Sequence, residues 1–316
     1  MGVSGLPSVL EVLATRRESG SVAGARQDGY RVALAIEGGG NRSAYSAGMA
    51  LGLDEAGLTG CFDAVYGTSG GALNAAWLLT GEAQRWLPSW AWDEVAAAGV
   101  TDARRMLRGG VMIDLRVLVE HVYEQVTPMD FDAILANPIS FHPVATDARS
   151  GLATDLAPLI HDRRTLQTAL RASACLPLLS GRPVRLGGRS WVDGGLSEAV
   201  PYRSALAGGA THVLVLRTRR EDQRLVPTRG EGVVLAPYFL AFARGARRSY
   251  DVRHHTYADD DRQLSAGIPH LAQLRPPLGA PDVTRLSRDA EAIRTAIEIG
   301  RQALHTLLGT SSSVQE

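Results

Sequence analysis

Ser69 stands at the centre of a G-x-S-x-G pattern, with Gly67 and Gly71 on either side of it. The short apolar segment 62–66 precedes this pattern, and a run of small and apolar residues, 72–79, follows it. A strand, a sharp turn and a helix in that order form a nucleophile elbow, where glycines avoid collisions with neighbouring backbone. The pattern predicts that Ser69 is an acyl-transfer nucleophile, and a glycine turn with an ordinary hydroxyl is the alternative.

A second glycine-rich segment, Gly38-Gly39-Gly40, follows the apolar run 31–36 and precedes Arg42. Consecutive glycines let several backbone N–H groups converge on one anion, as an oxyanion hole requires. Such donors contribute about 3 to 4 kcal/mol each when they point at a tetrahedral oxyanion. We therefore expect all three N–H groups to stabilise negative charge, with added positive potential from Arg42.

Asp193 follows the apolar pair Trp191-Val192 and is itself followed by Gly194 and Gly195. An acidic residue held between the end of a strand and two glycines is well placed to act as a base. An ordinary Asp-Gly turn is the alternative, since such turns are common. The other two motifs favour the functional interpretation, because a serine nucleophile needs a group that takes its proton.

In this order, the three motifs resemble those of the patatin-like phospholipases, and the similarity extends over about residues 31–217. It includes the Ala-Ser-x-x-x-Pro segment 172–177 and Pro201 shortly after the aspartate. The resemblance implies an α/β protein with the three-layer α/β/α patatin-like fold and a mainly parallel central sheet. It also implies a dyad of Ser69 as nucleophile and Asp193 as base, with neither a metal nor an organic cofactor.

The same resemblance implies a bacterial-type acyl hydrolase of lipid esters that works through an acyl-enzyme. Its expected partner is a phospholipid or lysophospholipid substrate, as for a phospholipase A or a lysophospholipase. An acyltransferase that uses the same dyad is the alternative. The family loop usually reads Gly-Gly-Gly-x-Arg-Gly, whereas Ser43 occupies the last position here. We expect this serine to alter access for the acyl chain or headgroup rather than to abolish activity.

The elements that would position these residues alternate between strands and helices. This alternation is typical of a largely parallel sheet covered by helices on both faces. Strands are predicted at 31–36, 62–66, 139–146, 190–192 and 211–217. Helices are predicted at 42–56, 72–79, 115–125, 163–174, 201–207 and 287–308, the last of them stopped by Gly309.

The chain is expected to form one main domain with short additions at its ends. Residues 1–29 are assigned to an N-terminal extension and residues 30–309 to the hydrolase domain. The C-terminal part of that domain, 233–309, is expected to be helical, and the tail 310–316 to be disordered.

The composition excludes several classes of function. The 33 basic and 33 acidic residues of the 316-residue chain cancel, so no overall charge attracts nucleic acid. Cys61 and Cys175 lie in apolar surroundings without metal-binding spacing, which predicts free thiols in a reducing compartment. No apolar run reaches the roughly 18 residues that a membrane span needs. The sequence therefore predicts a cytoplasmic protein.

One segment, 233–248, is a candidate for peripheral contact with a membrane. Its apolar residues precede a basic cluster that contains Arg244, Arg247 and Arg248. The pattern suits a helix lying on a phospholipid surface, but it suits a core helix with a basic end equally well.

A Ser-His-Asp triad is an alternative to the dyad, and it needs a histidine that follows the acid in the chain. The candidates are His212, His254, His255 and His270. The acidic run 259–261 could join the histidine pair in binding a metal, but the spacing fits no metal site and a solvated acidic turn is favoured.

Two binding functions without catalysis are also compatible with parts of the sequence. The spacing Gly38-x-Gly40-x-x-Ser43 approaches a dinucleotide-binding fingerprint, in which Asp63 would bind the ribose. However, Asp63 begins its predicted strand, whereas the fingerprint places the acid at a strand's end. A silent lipid-binding scaffold is the second alternative, and the intact Ser69 and Asp193 argue against it.

Overall fold

The computed structural model describes residues 7–226 and 230–312 of the chain. This part contains one eight-stranded sheet. In chain order its strands are β1 (Val32–Ile36), β2 (Ala64–Thr68), β3 (Ser140–Asp147), β4 (Ala153–Asp155), β5 (Val184–Leu186), β6 (Arg189–Asp193), β7 (His212–Leu216) and β8 (Leu271–Leu274).

The sheet is mainly parallel. Its strands lie in the order β5-β6-β3-β2-β1-β7-β8, and β4 pairs with β3 outside this path. The five adjacent strands β3, β2, β1, β7 and β8 pair in parallel. The remaining strands, β4, β5 and β6, join the sheet by antiparallel pairing. Because carboxyl ends of parallel strands share one edge of a sheet, the segments after β1 and β2 lie side by side.

Helices surround this sheet. The α-helices of the described residues are α1 (Val9–Glu18), α2 (Ala44–Glu55), α3 (Gly70–Leu79), α4 (Ala83–Trp86), α5 (Asp93–Ala97), α6 (Arg104–Leu107), α7 (Phe131–Ala136), α8 (Arg163–Ser173), α9 (Tyr202–Ala207), α10 (Glu231–Phe242), α11 (Ala246–Leu264) and α12 (Ala290–Ser312). A π-helix spans Val117–Val126. Short 3-10 turns lie at Gly40–Ser43, Thr59–Cys61, Leu87–Ala91, Ala157–Leu159 and Gly194–Leu196.

The two faces of the sheet pack against different helices. In β1, Leu34 belongs to the large core cluster that includes side chains of α2, α3 and α12. Its neighbours Ala33 and Ala35 point to the other face, where they join Tyr202 of α9 and Tyr257 of α11. Successive strand residues face opposite sides of a sheet, so this alternation gives three layers. The expected α/β/α fold with a mainly parallel sheet is confirmed.

Some predicted boundaries were wrong. The strand expected at 62–66 lies at Ala64–Thr68, because the Asp63 carboxylate is held outside the sheet by Arg16, Arg26 and the Val32 N–H. The helix expected at 115–125 is the π-helix Val117–Val126. The sequence patterns also missed α1 and the parallel edge strand β8, which lies within the segment 233–309 that was expected to be helical.

The predicted N-terminal extension contains α1, which packs on the main core through Val9, Val12 and Leu13. Arg16 anchors this helix: its buried guanidinium bonds to Asp28 at 2.6 Å and to the carbonyl oxygen of Cys61 at 2.7 Å. The aliphatic packing and the buried ion pair tie this segment to the main core.

The C-terminal helix is longer than predicted. It begins at Ala290 and ends at Ser312, so Gly309 does not stop it. A glycine inside a helix costs only about 1 kcal/mol relative to alanine, which neighbouring turns can offset. The predicted disordered tail, 310–316, was therefore wrong up to Ser312, and residues 313–316 lie outside the described ranges.

Both cysteines are free and buried, as expected from their apolar surroundings. Burial raises the pKa of the Cys175 thiol to about 12. Among the described residues, no helix combines the length and apolar character that crossing a membrane requires.

Candidate active site

Ser69 occupies the turn between β2 and α3, with φ 54° and ψ −126°. A positive φ is rare for a residue with a side chain and costs on the order of 1–3 kcal/mol. The strain is held by hydrogen bonds on both sides of the turn. The Ser69 N–H donates to Ser173 Oγ at 2.9 Å, and the Thr68 hydroxyl donates to the Glu198 carbonyl oxygen at 2.9 Å. The turn therefore presents the Ser69 hydroxyl rigidly at the strand's carboxyl end.

The glycines of the elbow are required by close backbone contacts. A Cβ at Gly67 would lie 2.5 Å from the Ala72 Cα, and one at Gly71 would lie 2.3 Å from the Ile36 carbonyl oxygen. Neither distance is sterically allowed. The sequence interpretation of Gly67 and Gly71 as elbow glycines agrees with these contacts.

Asp193 ends β6 and lies directly beside Ser69. Its Oδ2 accepts a hydrogen bond from Ser69 Oγ at 2.7 Å, and its Oδ1 accepts the Gly195 N–H at 2.8 Å. Pairing of β6 with β3 places Asp193 opposite Ala145. Gly194 is needed here because a Cβ would lie 2.4 Å from the Val144 carbonyl oxygen. Two motifs separated by 124 positions thus meet at one hydrogen bond.

The Asp193 carboxylate is 3% exposed. Burial raises its pKa to about 6, and the hydrogen bonds from Ser69 and Gly195 and the charge of Arg285 only partly oppose this effect. A carboxylate with such a pKa is ionised at neutral pH and is still a stronger proton acceptor than an exposed aspartate. This group can therefore take a proton from the adjacent hydroxyl.

The glycine-rich loop follows β1 and faces the elbow. The Gly38 N–H donates to the Ala199 carbonyl oxygen at 3.0 Å, so the prediction that it is an oxyanion donor was wrong. Within residues 7–226 and 230–312, the N–H groups of Gly39 and Gly40 donate to no acceptor. Gly70, the first residue of α3, likewise has no acceptor for its N–H in that part of the chain. Gly40 and Gly70 line one of the cavities that contain Ser69, and Gly39 and Gly40 line the other.

The Gly70 donor was missed by the sequence interpretation. The residue after the nucleophile commonly contributes to an elbow oxyanion hole, so the motif itself carried the signal. The sequence also gives no sign that Ser173 contacts the elbow, although its Ala-Ser-x-x-x-Pro segment is part of the family resemblance. It accepts the Ser69 N–H and donates its hydroxyl proton to the Val144 carbonyl oxygen at 2.7 Å.

Arg42 lies behind the loop, is 7% exposed, and donates to Thr218 Oγ1 at 3.3 Å. Burial and the nearby charge of Arg219 lower its pKa to about 10, and Glu37 opposes this shift. The guanidinium therefore remains positive at neutral pH. Glu37 is itself fixed by Arg217 at 3.0 Å and by the Tyr257 hydroxyl at 2.7 Å. The buried pair Glu37–Arg217 thus supports the start of the glycine-rich loop.

Two cavities meet at Ser69. Both are also lined by Gly40, Leu176 and Arg285. One cavity, of about 290 Å³, is mostly apolar and is lined by Leu73, Trp77, Trp90, Trp92, Leu118 and Ile293, among others. The other, of about 520 Å³, is lined by the charged residues Glu37, Arg42, Arg219, Glu231, Arg253 and Asp193, among others. Both cavities are lined mostly by apolar surface, and the second, called here the charged cavity, also has charged side chains on its wall.

Ser43 lies away from both cavities. It is fully buried, and its Oγ is 2.4 Å from the position that a Gly70 Cβ would occupy. The residue therefore packs against the elbow, and it does not line the space that an acyl chain or headgroup would fill. The expectation of altered access has no support from this position.

The structure does not assemble the alternative triad. His212 bonds to Thr211 and to the Pro7 carbonyl oxygen at 3.0 Å, and its ring packs near His270. His254 and His255 contact each other on α11, with their ring planes tilted by 42°. None of these four rings contacts Ser69 or Asp193.

The acidic run 259–261 is not the solvated turn that its sequence suggested. It belongs to α11, where Asp260 is 1% exposed and pairs with Arg203 at 2.5 Å. Asp261 accepts from Arg217 at 2.6 Å and from Arg275 at 2.7 Å. Arginines from outside α11 pair with these carboxylates and hold them against the protein. No group of three or more potential metal-binding side chains occurs in the described residues.

Asp63 is not available to a ribose. Its carboxylate accepts from Arg16 at 2.9 Å, from Arg26 at 2.8 Å and from the Val32 N–H at 2.7 Å. It also lies before β2, at the opposite end of the strand from the glycine-rich loop. The dinucleotide-binding alternative therefore lacks the acidic residue that would bind the ribose.

Comparison with solved structures gives distant similarities. VipD from Legionella pneumophila aligns with a TM-score of 0.43 and 13% identity, covering 89% of this chain and 67% of that one. Human group IVD cytosolic phospholipase A2, solved with methyl gamma-linolenyl fluorophosphonate and terbium chloride, aligns with a TM-score of 0.38 and 14% identity. That alignment covers 96% of this chain and 63% of the phospholipase.

Sequence comparison is more informative. The protein YjjU of Escherichia coli K12 is 31% identical over 199 residues, which are 60% of this chain and 52% of YjjU. The chain thus spans about half the length of that relative. A family model described as patatin-like phospholipase matches residues 34–206, more than half of the chain. The matched region holds Ser69, Asp193 and both glycine-rich motifs, and the chain belongs to the patatin-like phospholipase family.

Proposed function

We propose that this protein is a serine hydrolase that cleaves acyl esters of phospholipids or lysophospholipids, with Ser69 as nucleophile and Asp193 as base. The observation that carries this proposal is the 2.7 Å hydrogen bond between Ser69 Oγ and a buried Asp193 carboxylate. The strained backbone of Ser69 supports it, since strain of this kind persists where the surrounding structure holds a residue for function.

In the first half of the reaction, Ser69 Oγ attacks the ester carbonyl carbon while its proton moves to Asp193 Oδ2. The carbonyl oxygen becomes an oxyanion, which the N–H groups of Gly39, Gly40 and Gly70 stabilise. The positive charge of Arg42 adds to this stabilisation. Asp193 then protonates the leaving alcohol oxygen as the carbon–oxygen bond breaks, which leaves an acyl group on Ser69.

In the second half, water attacks the acyl carbon and Asp193 accepts its proton. The same N–H groups hold the second oxyanion. When this second oxyanion collapses, the bond between the acyl carbon and Ser69 Oγ breaks, and the proton returns from Asp193 to the serine oxygen. The products are a fatty acid and a free alcohol, and the dyad is restored without a histidine.

The two cavities fit the two parts of such a substrate. The tryptophan-lined apolar cavity suits the acyl chain, because burying methylene groups contributes about 0.8 kcal/mol each. The charged cavity suits a polar headgroup, since Arg42, Arg219 and Arg285 provide positive charge within reach of a phosphate. Substrates of this kind reside in bilayers or micelles, so the enzyme must make peripheral contact with a lipid surface.

The pH dependence of kcat/KM is expected to show an acidic limb near pH 6. Protonated Asp193 cannot accept the serine proton, and burial raises its pKa to about 6. Activity should therefore fall about tenfold per pH unit below this value. Hydrolysis of p-nitrophenyl butyrate from pH 4.5 to 8 measures this acidic limb of the pH profile. In a separate assay, release of fatty acid from lysophosphatidylcholine tests the proposed substrate class. A flat profile down to pH 4.5 would rule out Asp193 as the base.

A further inference from the structure

Helix α10 presents apolar side chains to solvent. Val233, Val234 and Leu240 are 77%, 65% and 64% exposed, and Phe242 is 41% exposed. The opposite face of the helix is buried in a cluster formed by Leu235, Tyr238, Phe239 and neighbouring residues. The sequence left a core helix and an interfacial helix as alternatives, and α10 has a face that suits each. Its outer face resembles a protein interior, although it lies at the surface.

Leu178 extends this apolar face. It lines the charged cavity together with Val234 and is 39% exposed. Its φ of 67° lies in the left-handed region, where a leucine costs on the order of 1–3 kcal/mol. The chain therefore keeps an apolar side chain in solvent, in an unfavourable backbone conformation, at the rim of the cavity that contains Ser69.

Positive charge borders the apolar face. Arg244 donates to the Leu240 carbonyl oxygen at 2.8 Å, which places its guanidinium at the end of α10. Arg182 lies over the Phe242 ring, 5.2 Å from the ring centre. Neither arginine forms an ion pair with an acidic residue in the described part of the chain.

The nearby acidic groups are already neutralised. Glu231, at the start of α10, pairs with Arg253 at 3.1 Å. Asp251 on α11 pairs with Arg247 at 2.8 Å. The unpaired charges beside the apolar face are therefore positive. Of the basic cluster predicted from the sequence, Arg244 is one of these unpaired charges, whereas Arg247 is paired with Asp251.

We propose that this face binds anionic phospholipid bilayers. It is called here the α10 surface and consists of Leu178, Arg182, Val233, Val234, Leu240, Phe242 and Arg244. A bilayer matches both of its properties, because apolar chains lie beneath a layer of negative phosphates. Val234 and Leu178 also border the charged cavity, so a bound lipid reaches Ser69 directly from the bilayer. The inference rests on the proposed function, since it names the surface that delivers the substrate.

The test is sedimentation of the Ser69→Ala protein with sucrose-loaded vesicles, so that hydrolysis cannot alter the lipid. Binding to vesicles of phosphatidylcholine with phosphatidylglycerol is expected, and Val233→Ser/Leu240→Ser in that background should weaken it about tenfold. Arg244→Gln should weaken binding to these vesicles about fivefold, and it should leave binding to pure phosphatidylcholine unchanged.

The matched control is Val22→Ser/Leu135→Ser, whose side chains are 60% and 39% exposed in the loop after α1 and in α7, and α7 packs against α3 and α8. It should bind vesicles as the parent does. The proposal is overturned if the parent does not bind anionic vesicles, or if both double variants lose binding equally. It is also overturned if the parent is a dimer that Val233→Ser/Leu240→Ser dissociates, because the α10 surface would then be a subunit interface.

The same double substitution in the otherwise native enzyme should retain hydrolysis of soluble p-nitrophenyl butyrate and the parent's thermal midpoint. Both side chains are exposed, so their replacement leaves no cavity. If the native protein hydrolysed no ester, the proposed function would be contradicted. The vesicle-binding test would still stand, because it uses the Ser69→Ala protein and does not depend on catalysis. The two proposals therefore fail in distinguishable ways.

Discussion

Ser69→Ala is expected to lower kcat on p-nitrophenyl butyrate by about four to six orders of magnitude. The substitution removes the only atom proposed to bond to the acyl carbon, while the oxyanion donors and both cavities remain. The fold should persist, because the Ser69 N–H still donates to Ser173. Circular dichroism and the thermal midpoint should match those of the parent.

Ser265→Ala is a suitable control for this loss, since Ser265 caps the end of α11 far along the chain from both motifs. It should retain the parent's kcat. If Ser69→Ala kept more than about one per cent of the parent's activity, another group would have to be the nucleophile.

Asp193→Asn is expected to lower kcat/KM by about three to four orders of magnitude. An asparagine can still accept the Gly195 N–H and donate to Ser69 Oγ, so the geometry should survive. It cannot accept a proton, and the serine would have to attack as a neutral hydroxyl. Steady-state kinetics on the same soluble ester measure the loss, and a change of less than tenfold would show that Asp193 is not the base.

The same substitution should stabilise the fold at neutral pH. Burial raises the folded-state pKa of Asp193 to about 6, above its usual value near 4 in an unfolded chain. Its contribution to stability is therefore fully present below about pH 4 and is lost as the pH rises through about 6. At pH 7.5, Asp193→Asn should raise the free energy of unfolding by about 1–3 kcal/mol, measured by urea denaturation.

At pH 4 this gain should disappear, because both the aspartic acid and the asparagine are then neutral. Asp28→Asn is the matched control: its carboxylate accepts a hydrogen bond from Arg16 at 2.6 Å, which lowers its pKa, so its replacement should destabilise the protein at pH 7.5. A loss of stability on Asp193→Asn at neutral pH would contradict the buried, charged carboxylate described above.

Local constraints explain how much of the site was predictable. Gly67, Gly71 and Gly194 are each fixed by backbone atoms within 2.5 Å of where a Cβ would lie, so glycine had to occur at those positions in sequence. The strand-turn-helix pattern then located Ser69, and the strand end located Asp193. The fold class followed from the alternation of strands and helices, which depends on residues near one another in the chain.

Distant contacts explain what was missed. The Gly38 N–H is taken by the Ala199 carbonyl oxygen, a contact between segments 161 positions apart that no local pattern shows. Likewise, Asp260 and Asp261 resemble solvated residues until Arg203 and Arg217 approach them from other elements. The outer face of α10 was ambiguous for a related reason: an apolar helix carries no sign of which side the core will cover.

The central claim is that Ser69 is an activated nucleophile, and covalent labelling tests it most directly. The protein is treated with a fluorophosphonate at pH 7.5, and the adduct is located by peptide mapping and mass spectrometry. A single adduct on Ser69 is predicted, absent from Ser69→Ala and formed far more slowly by Asp193→Asn. Folded protein that stays unlabelled, or that carries its adduct on another residue, would contradict the proposed mechanism.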